Sequence, residues 1–165
     1  MIVTRLAKAF MVAAVAAFAL LVAWDNVVDY GTNYAFVQHV MSMDTIFPDS
    51  ALKSRAITDE SVWRVVYALI IAAEFATGFL LAAGALALLM ALRAPAARFN
   101  RAKALTIVGA TVGFGVWFFG FMVVAGNWFA MWQSHEWNAQ QAAFRFYITL
   151  LAVLIFVTQR DDDLA

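Results

Sequence analysis

The sequence predicts an all-α integral membrane protein: a single domain over residues 1–165, built as a four-helix bundle with a short interfacial helix in its first outer connection. Apolar residues make up 65% of the chain and charged residues 13%, with a mean hydropathy of +0.80. Soluble domains are roughly 45–50% apolar and about 25% charged. The chain also contains four apolar runs that are long enough to cross a bilayer, which takes about 20 residues, and far too long for barrel strands.

The first span is predicted over about residues 6–30. Arg5 and Lys8 precede its apolar run, and the long stem of Lys8 would let its ammonium group snorkel to the membrane edge. Asp25 and Asp29 lie one turn apart at the far end and share a face of the helix. These two carboxylates are candidate binding residues near the outer surface.

The connection that follows is predicted to contain a short amphipathic helix. Thr32 or Asn33 can cap its first turn. Its apolar positions then share one face: Phe36, Val37, Val40 and Met41. A short helix of this kind is typical of the lipid–water interface, so we expect it to lie on the membrane surface.

The remaining three spans are predicted over about residues 62–92, 104–130 and 139–158. Thr58 is the expected cap of the second span, and Glu60 and Arg64 form an i, i+4 pair in its first turns. Asn138 is the expected cap of the fourth span.

The third span carries a stripe of glycines at Gly109, Gly113 and Gly120. At about 100° per residue, the three lie within roughly 40° of one another on an α-helix. Small residues on one stripe let two helix backbones approach closely. The stripe therefore predicts a packing face, directed either to another helix of this chain or to a partner chain.

Basic residues are distributed unequally between the two ends of the predicted bundle. Seven lie at the end that holds both termini: Arg5, Lys8, Arg93, Arg98, Arg101, Lys103 and Arg160. Four lie at the other end: Lys53, Arg55, Arg64 and Arg145. The positive-inside rule then predicts a protein of the bacterial inner (plasma) membrane, with both termini cytoplasmic and the two long connections periplasmic. An outer belt of aromatic side chains is also expected: Trp24, Trp63, Trp128 and Trp132.

Glu74 is the one acidic residue well inside a predicted span. A carboxylate within the membrane is by default a candidate functional residue, for handling a proton or a ligand. The alternative is a structural ion pair with Arg145, which lies near the outer end of the fourth span and needs an anion or a route to water.

The second outer connection, residues 128–145, concentrates aromatic and amide side chains between two apolar runs. The candidate binding residues there are Trp128, Trp132, Gln133, His135, Trp137 and Asn138. Such a set can bind a lipid headgroup, a quinone or a partner protein. It can equally form a structural lid held by its own hydrogen bonds, and the sequence leaves both alternatives open.

Metal sites are weakly indicated. His39, Met41 and Met43, with Met131 and His135 from the other outer connection, offer the imidazole and thioether ligands that suit Cu(I). The first three would share a face only in an extended segment, and a helix is predicted there. The two histidines can also serve as axial ligands of an outer-surface haem, but neither lies within a span. Copper and haem are not favoured, and no cofactor is expected.

Four segments of the outer connections resemble a known family. They are residues 33–45 (NYAFVQHVMSMDT), 47–48 (FP), 128–134 (WFAMWQS) and 137–145 (WNAQQAAFR). The family is that of the bacterial predicted small integral membrane proteins, domain of unknown function 2165, and the likeness extends over nearly the whole chain. The resemblance implies a four-helix membrane protein and supplies no activity.

The leading functional hypothesis is a non-enzymatic accessory or interaction subunit of a larger membrane assembly, such as a respiratory one, in contact with membrane lipid and with other subunits or copies of itself. The chain has no cysteine and zero net charge, which argues against thiolate metal sites and against nucleic acid. No catalytic motif is present. Two alternatives are an oligomeric proton-coupled transporter that uses Glu74 and an outer-face protein that binds haem, copper, a quinone or a lipid.

Overall fold

The computed structural model describes residues 2–164, and every regular element in that range is helical. The elements in chain order are α1 (Ile2–Val28), α2 (Tyr30–Ser42), a 3₁₀ turn (Ala51–Arg55), α3 (Glu60–Met90), α4 (Ala96–Ala102), α5 (Ala104–Phe114), a π-helical segment (Gly115–Trp128), a second 3₁₀ turn (Met131–Gln133) and α6 (Gln140–Thr158). The predicted all-α class is confirmed. Four stretches are long and apolar enough to cross a membrane: Ile2–Val28, Glu60–Met90, Ala96–Trp128 and Gln140–Thr158.

Helix α3 has the most extensive contacts among these four stretches. Helix α3 lies along α1 on one side and along α5 on the other, and α6 closes against α5, the π-helical segment and α1. One end of the molecule, called the inner end below, holds the start of α1, helix α4 and residues 159–164. The opposite or outer end holds α2 and both 3₁₀ turns.

Glycines set the closest approaches of α3 to its neighbours. A Cβ atom on Gly84 would lie 2.9 Å from the backbone nitrogen of Thr106 on α5, and one on Gly78 would lie 2.5 Å from Cγ of Leu20 on α1. Such distances leave no room for a larger residue, so the α3 backbone rests directly against both helices. Gly78 and Gly84 on α3 therefore allow close helix approach, as the predicted glycine stripe was expected to do on the third span.

The predicted glycine stripe is only partly a packing face. Gly109 and Gly113 do face this chain's own α3, with Leu81 and Thr77 respectively within contact distance. No helix of residues 2–164 packs directly against Gly120, since the only atom within 4 Å of its would-be Cβ is the carbonyl oxygen of Gly115, 3.7 Å away. The sequence also allowed the stripe to face a partner chain, so a packing role for Gly120 stays a prediction; within this chain the helix changes type at Gly115, before Gly120 is reached.

The π-helical segment also separates the third stretch from α3. Phe129 N donates to the carbonyl of Val124 at 3.0 Å, one residue further back than in an α-helix. Helix α3 packs along α5 but makes few contacts with the π-helical segment. The two stretches are therefore close in the inner half of the molecule and diverge in the outer half.

Helix α2 begins at Tyr30, separated from α1 only by Asp29. Its apolar residues Val37, Val40 and Met41 are buried, in one cluster with Trp63 and Tyr67 of α3 and with residues of the second outer connection. The apolar face predicted to rest on lipid thus packs against the protein itself, because the outer ends of α3 and the π-helical segment offer an apolar surface to cover.

Local signals at the outer end act much as predicted, with small shifts. Helix α3 begins at Glu60, and its cap is Asp59 rather than Thr58, since Asp59 Oδ1 accepts from Ser61 N at 2.8 Å. Hydrogen bonds from Ser61 hold the pKa of Asp59 below its usual value. Glu60 and Arg64 form the predicted ion pair.

Charged groups are buried together at the inner end. Lys8 and Lys103 each place Nζ 2.6 Å from Asp161 Oδ2, and both also donate to the carbonyl oxygen of Gln159. Lys8 is 1% exposed, so the expectation that it would snorkel to the membrane edge was wrong. The tail after α6 supplies acceptors that keep the ammonium group inside.

Arg5 completes this inner cluster without a carboxylate. Its guanidinium donates to the carbonyl oxygens of Leu92, Ala94 and Asp162, at 3.1, 2.7 and 2.7 Å. It also lies 4.6 Å from the centre of the Phe99 ring. The cluster, defined by Arg5, Lys8, Lys103 and Asp161, therefore joins α1, the α3–α4 turn, α5 and the tail.

Replacing Asp161 by Asn should lower the free energy of unfolding by about 3–5 kcal/mol, because two buried ammonium groups would lose their only carboxylate. Burial alone would raise the pKa of Asp161, but hydrogen bonds and charge from Lys103 and Lys8 outweigh it and lower the pKa. A lowered folded-state pKa means that this stability is present above the unfolded pKa of 3.8 and is lost as the pH falls through the folded one.

The measurement is denaturant unfolding in mixed micelles at several pH values. Asp162→Asn is the matched control, since the neighbouring carboxylate is exposed and its side chain makes no hydrogen bond within residues 2–164. Equal stability of Asp161→Asn and Asp162→Asn would contradict the assignment of Asp161 as the anchor of the cluster.

Candidate functional site: a polar cavity beside an apolar groove

Glu74 lies on the interior face of α3, where its side chain is 2% exposed. Its Oε2 accepts a hydrogen bond from Asn26 Nδ2 of α1 at 2.6 Å. Asn26 is positioned from the other side by Tyr67, whose hydroxyl donates to the Asn26 carbonyl at 2.9 Å. Tyr67, Ile70 and Glu74 follow one another at helical spacing, which brings all three to the same face of α3.

These polar groups line a cavity of about 190 Å³ in the outer half of the molecule. Side chains of α1, α2, α3, the π-helical segment and α6 contribute to its wall. The polar members are Asn26, Asn33, Tyr67 and Glu74, and the aromatic ones include Phe36, Trp117, Phe121 and Phe146. Asn33 is half-buried and Ala142 of α6 is exposed, so the cavity reaches the surface near the outer end.

The predicted pair of Glu74 with Arg145 does not form, and that hypothesis was wrong. Ala143 of α6 is buried and contributes to the cavity wall, whereas Arg145 is exposed. Two residues along an α-helix turn the side chain by about 200°, so Arg145 is directed away from the cavity. An uncharged amide, Asn26, is the partner of Glu74 instead.

A groove of about 500 Å³ lies on the other side of the cavity wall, between α3 and the π-helical segment. Phe36, Val37, Ile70 and Phe121 separate it from the polar cavity and contribute to both. The lining is apolar throughout: it comprises Phe36, Val37, Val40, Met41, Val66, Leu69, Ile70, Ala73, Val112, Gly115, Val116, Phe119, Gly120, Phe121, Val124, Ala125 and Phe129.

The groove is lined toward the inner end by Ala73 and Val112, where α3 and α5 come together, and toward the outer end by residues of α2 and by Phe129. On the open side, the rim residues Leu69 and Phe119 are 63% and 59% exposed. In a bilayer, this opening would face the hydrocarbon chains of lipids.

A basic side chain lies at the outer end of this groove. A shallow depression of about 630 Å³ shares Met41, Val66 and Phe129 with the groove and also includes Arg55. The Arg55 guanidinium lies 4.9 Å from the centre of the Trp128 ring and donates to the Trp128 carbonyl at 3.3 Å. No acidic side chain within residues 2–164 forms a salt bridge with Arg55.

The second outer connection is held largely by its own hydrogen bonds and by the first connection. Gln133 and Ser134 are buried. Ser134 Oγ lies 2.8 Å from Thr45 Oγ1 and accepts from Trp137 N at 2.9 Å, and Gln133 Oε1 accepts from Phe47 N at 3.3 Å. These contacts match the structural-lid alternative for Gln133 and Trp137.

The other candidate residues of the outer end are mostly at the surface. The exposed ones are Asp25, Asp29, Trp128, Trp132, His135 and Asn138. The N-cap position of α6 is Ala139 rather than the predicted Asn138, although Asn138 Oδ1 accepts from Gln140 N in the first turn at 3.1 Å. Asp29 accepts from Thr32. Trp63, predicted in the outer aromatic belt, is instead 9% exposed and donates Nε1 to the Ile57 carbonyl at 2.7 Å.

The proposed copper ligands are not arranged as one group. His39 Nδ1 lies 2.7 Å from Asp44 Oδ2, and its ring stacks on Trp137 with a centroid distance of 4.4 Å. The three methionines, Met41, Met43 and Met131, are buried in the apolar cluster beneath α2, whereas His135 is exposed. Across residues 2–164, no group of three or more His, Cys, Asp or Glu side chains is placed to hold a metal ion.

Four apolar helices of spanning length, with polar groups gathered inside and at the two ends, define a small all-helical integral membrane protein. The chain matches the family described as predicted small integral membrane protein (DUF2165) over residues 4–160, and it belongs to that family. The resemblance read from the outer segments is therefore confirmed. No curated protein and no solved structure matches the chain.

Asn26 and Tyr67 are the site residues that sequence reasoning missed. Both belong to stretches predicted to span the membrane, where a buried amide or hydroxyl needs a partner. The signal for Asn26 is an amide near the end of an apolar run, but it lies between two carboxylates, Asp25 and Asp29, that are themselves exposed. The predicted pair of Glu74 with Arg145 rested only on the opposite charges of the two side chains.

A pair of double-mutant cycles should distinguish the two possible partners of Glu74. Glu74→Met combined with Asn26→Leu should show a coupling energy of about 0.5–3 kcal/mol, because contacting residues are not additive. Glu74→Met combined with Arg145→Met should be additive within about 0.5 kcal/mol, because independent sites are. The measurement is the unfolding free energy in detergent. Coupling of Glu74 with Arg145 but not with Asn26 would contradict the assignment of Asn26 and support an ion pair with Arg145.

Proposed function

We propose that this protein is a non-enzymatic phospholipid-binding protein of the inner membrane, a four-helix bundle that holds one acyl chain of an anionic lipid in its lateral groove. The observation that carries the proposal is the groove itself, which has apolar side chains throughout and is bordered by the exposed residues Leu69 and Phe119. Its volume of about 500 Å³ lies within the roughly 300–1,000 Å³ typical of ligand sites.

The shape of the groove favours a flexible chain over a partner's transmembrane helix. A helix that crosses the membrane needs a furrow open at both ends, because it continues past the contact. This groove is bordered by Ala73 and Val112, where α3 and α5 meet, and by α2 and Phe129, so a straight helix lying along it would have to cross these elements. A hydrocarbon chain can enter from the side and lie within it.

Arg55 supports an anionic headgroup. It lies beside the outer end of the groove without a carboxylate partner within residues 2–164. Arginine binds phosphate through paired hydrogen bonds with matching geometry. Trp128, which stacks with Arg55 and is 55% exposed, is of the residue type found at headgroup level in membrane interfaces.

The distribution of charge supports an orientation with both termini in the cytoplasm. The seven basic residues counted in the sequence belong to the segments that form the inner end, and the positive-inside rule assigns such an end to the cytoplasm. Helix α2 and the exposed Trp24, Trp128 and Trp132 would then lie at the periplasmic interface.

Two functions suggested by the sequence stay predictions. An accessory subunit would use the apolar outer faces of the helices, and a transporter would use Glu74 as its coupling carboxylate. A quinone tail is the closest rival to a phospholipid chain, because both are apolar chains with a polar head. The lipid experiment below distinguishes these occupants by their mass.

Filling the groove should remove the bound lipid. Gly115 lines the groove and its Cβ position has no neighbour within 4 Å, so Gly115→Leu should place a side chain in the groove without disturbing the core. Native mass spectrometry of protein released from mild detergent should show a retained anionic phospholipid on the wild type and little on the variant.

Gly31→Leu is the matched control, since Gly31 also has no neighbour within 4 Å of its Cβ position but lies outside the groove. Arg55→Gln should shift the retained lipid toward zwitterionic species without abolishing binding. Equal lipid retention by Gly115→Leu and the wild type would exclude the groove as the lipid site, and a retained quinone mass would identify the rival occupant.

Single-cysteine labelling should establish the orientation. The chain has no native cysteine, so Ser54→Cys at the outer end and Ala97→Cys at the inner end report without background, and both residues are exposed. A membrane-impermeant maleimide added to intact cells should label Ser54→Cys and spare Ala97→Cys until the membrane is opened. Labelling of Ala97→Cys alone would reverse the proposed topology.

A further inference from the structure

The polar cavity contains a carboxylate with one unpartnered oxygen. Glu74 is 2% exposed and its Oε2 is bonded to Asn26. Its other oxygen, Oε1, accepts no hydrogen bond from any residue in the described range 2–164. Because Glu74 also lines the cavity of about 190 Å³, this oxygen is available to a molecule inside it.

No element around the cavity brings a positive charge to Glu74. The lining contributed by α1, α2 and α3 includes the uncharged polar residues Asn26, Asn33 and Tyr67, and the π-helical segment and α6 contribute only apolar and aromatic side chains. The charged residues in the outer parts of these elements lie outside the lining and are exposed: Asp25, Asp29, Glu60, Arg64 and Arg145. His39 of α2 is bonded to Asp44 and is also outside the lining.

From this arrangement we infer that the cavity is a binding site for a small organic cation, a protonated or quaternary amine, with Glu74 as its counter-charge. A buried charge is stabilised chiefly by an opposite charge or by hydrogen bonds that replace water. Asn26 provides one hydrogen bond, and the cation provides the charge that the protein does not.

The aromatic walls select an organic cation in particular. Trp117 and Phe146 meet edge to face with ring centres 5.6 Å apart, and the rings of Phe36 and Phe121 stack at 6.1 Å. All four side chains line the cavity together with Tyr67. An ammonium group is attracted to the faces of aromatic rings, and it gains more when it is removed from water.

Other ligand classes fit this lining less well. Calcium needs six to eight oxygen ligands and magnesium a nearly ideal octahedron, whereas most of this wall is hydrocarbon. Anions would be repelled by Glu74. Neutral molecules of the same shape would lose the attraction of the carboxylate, and this difference provides the test.

The experiment measures binding of radiolabelled choline to purified wild-type protein in detergent by equilibrium dialysis. The comparison ligand is the neutral isostere of choline, in which carbon replaces the ammonium nitrogen. We expect saturable choline binding and affinity for the isostere weaker by about tenfold or more, since a charge-assisted contact is lost. Equal affinity for the two ligands would overturn the inference, and so would the absence of saturable choline binding.

Two variants locate the site. Glu74→Gln keeps the shape of the side chain and should weaken choline binding by about tenfold or more, while Phe146→Leu should weaken it less through loss of one aromatic face. Glu136→Gln, which changes an exposed acid of the outer connection, is the control. Unchanged choline binding by a folded Glu74→Gln variant would contradict the site, and the ligand comparison on wild-type protein decides the matter if that variant does not fold.

Discussion

The close approach of α3 to α1 and α5 is the constraint on which the rest of the structure depends. Gly78 and Gly84 remove the side chains that would hold these helices apart, and Gly109 and Gly113 do the same from the third stretch. In lipid, helices associate through packing and hydrogen bonds, because the surroundings are as apolar as the helix surface. Since these contacts lie in the inner half, the helices there are fixed relative to one another.

The outer half is different because the third stretch becomes π-helical at Gly115. Gly115 and Gly120 line the space between this segment and α3 without packing directly against α3, and the two stretches diverge. The space between them is divided by Phe36, Val37, Ile70 and Phe121 into an apolar groove and a polar cavity. Both proposed sites thus follow from one change of helix type, and helix α2 covers the groove at its outer end.

Polar groups are treated differently in the two halves. At the inner end, Lys8 and Lys103 share Asp161, and Arg5 is bonded to three backbone carbonyls. This arrangement meets the requirement that buried charges be paired and hydrogen-bonded. Glu74, in contrast, has one amide partner and no countercharge among the residues around it. Because the inner charges have partners and Glu74 has no countercharge, we interpret the inner cluster as structural and the cavity as a ligand site.

The sequence predicted an integral membrane protein, its helical composition and the position of Glu74 as the one acidic residue well inside a span, because these depend on hydropathy and on the length of the apolar runs. It did not predict the partner of Glu74, since an amide such as Asn26 carries no charge pattern to match. It did not predict the change to a π-helical segment at Gly115, after which Gly120 has no close helix neighbour within residues 2–164. Lys8 was expected in water because its acceptors, Gln159 and Asp161, lie at the opposite end of the chain.

The most direct test of the account is whether lipid chains reach the interior of the groove. Nuclear Overhauser contacts between acyl-chain protons and protein methyl groups can be measured in lipid nanodiscs with selectively labelled protein. We expect contacts from lipid to Ala73 and Val112, at the inner end of the groove, as well as to the exposed rim residue Leu69. Ala16 and Ala19, which are 2% and 0% exposed in the core, should show none. Contacts at Leu69 without any at Ala73 and Val112 would contradict the account, because lipid would then pass over the groove without entering it.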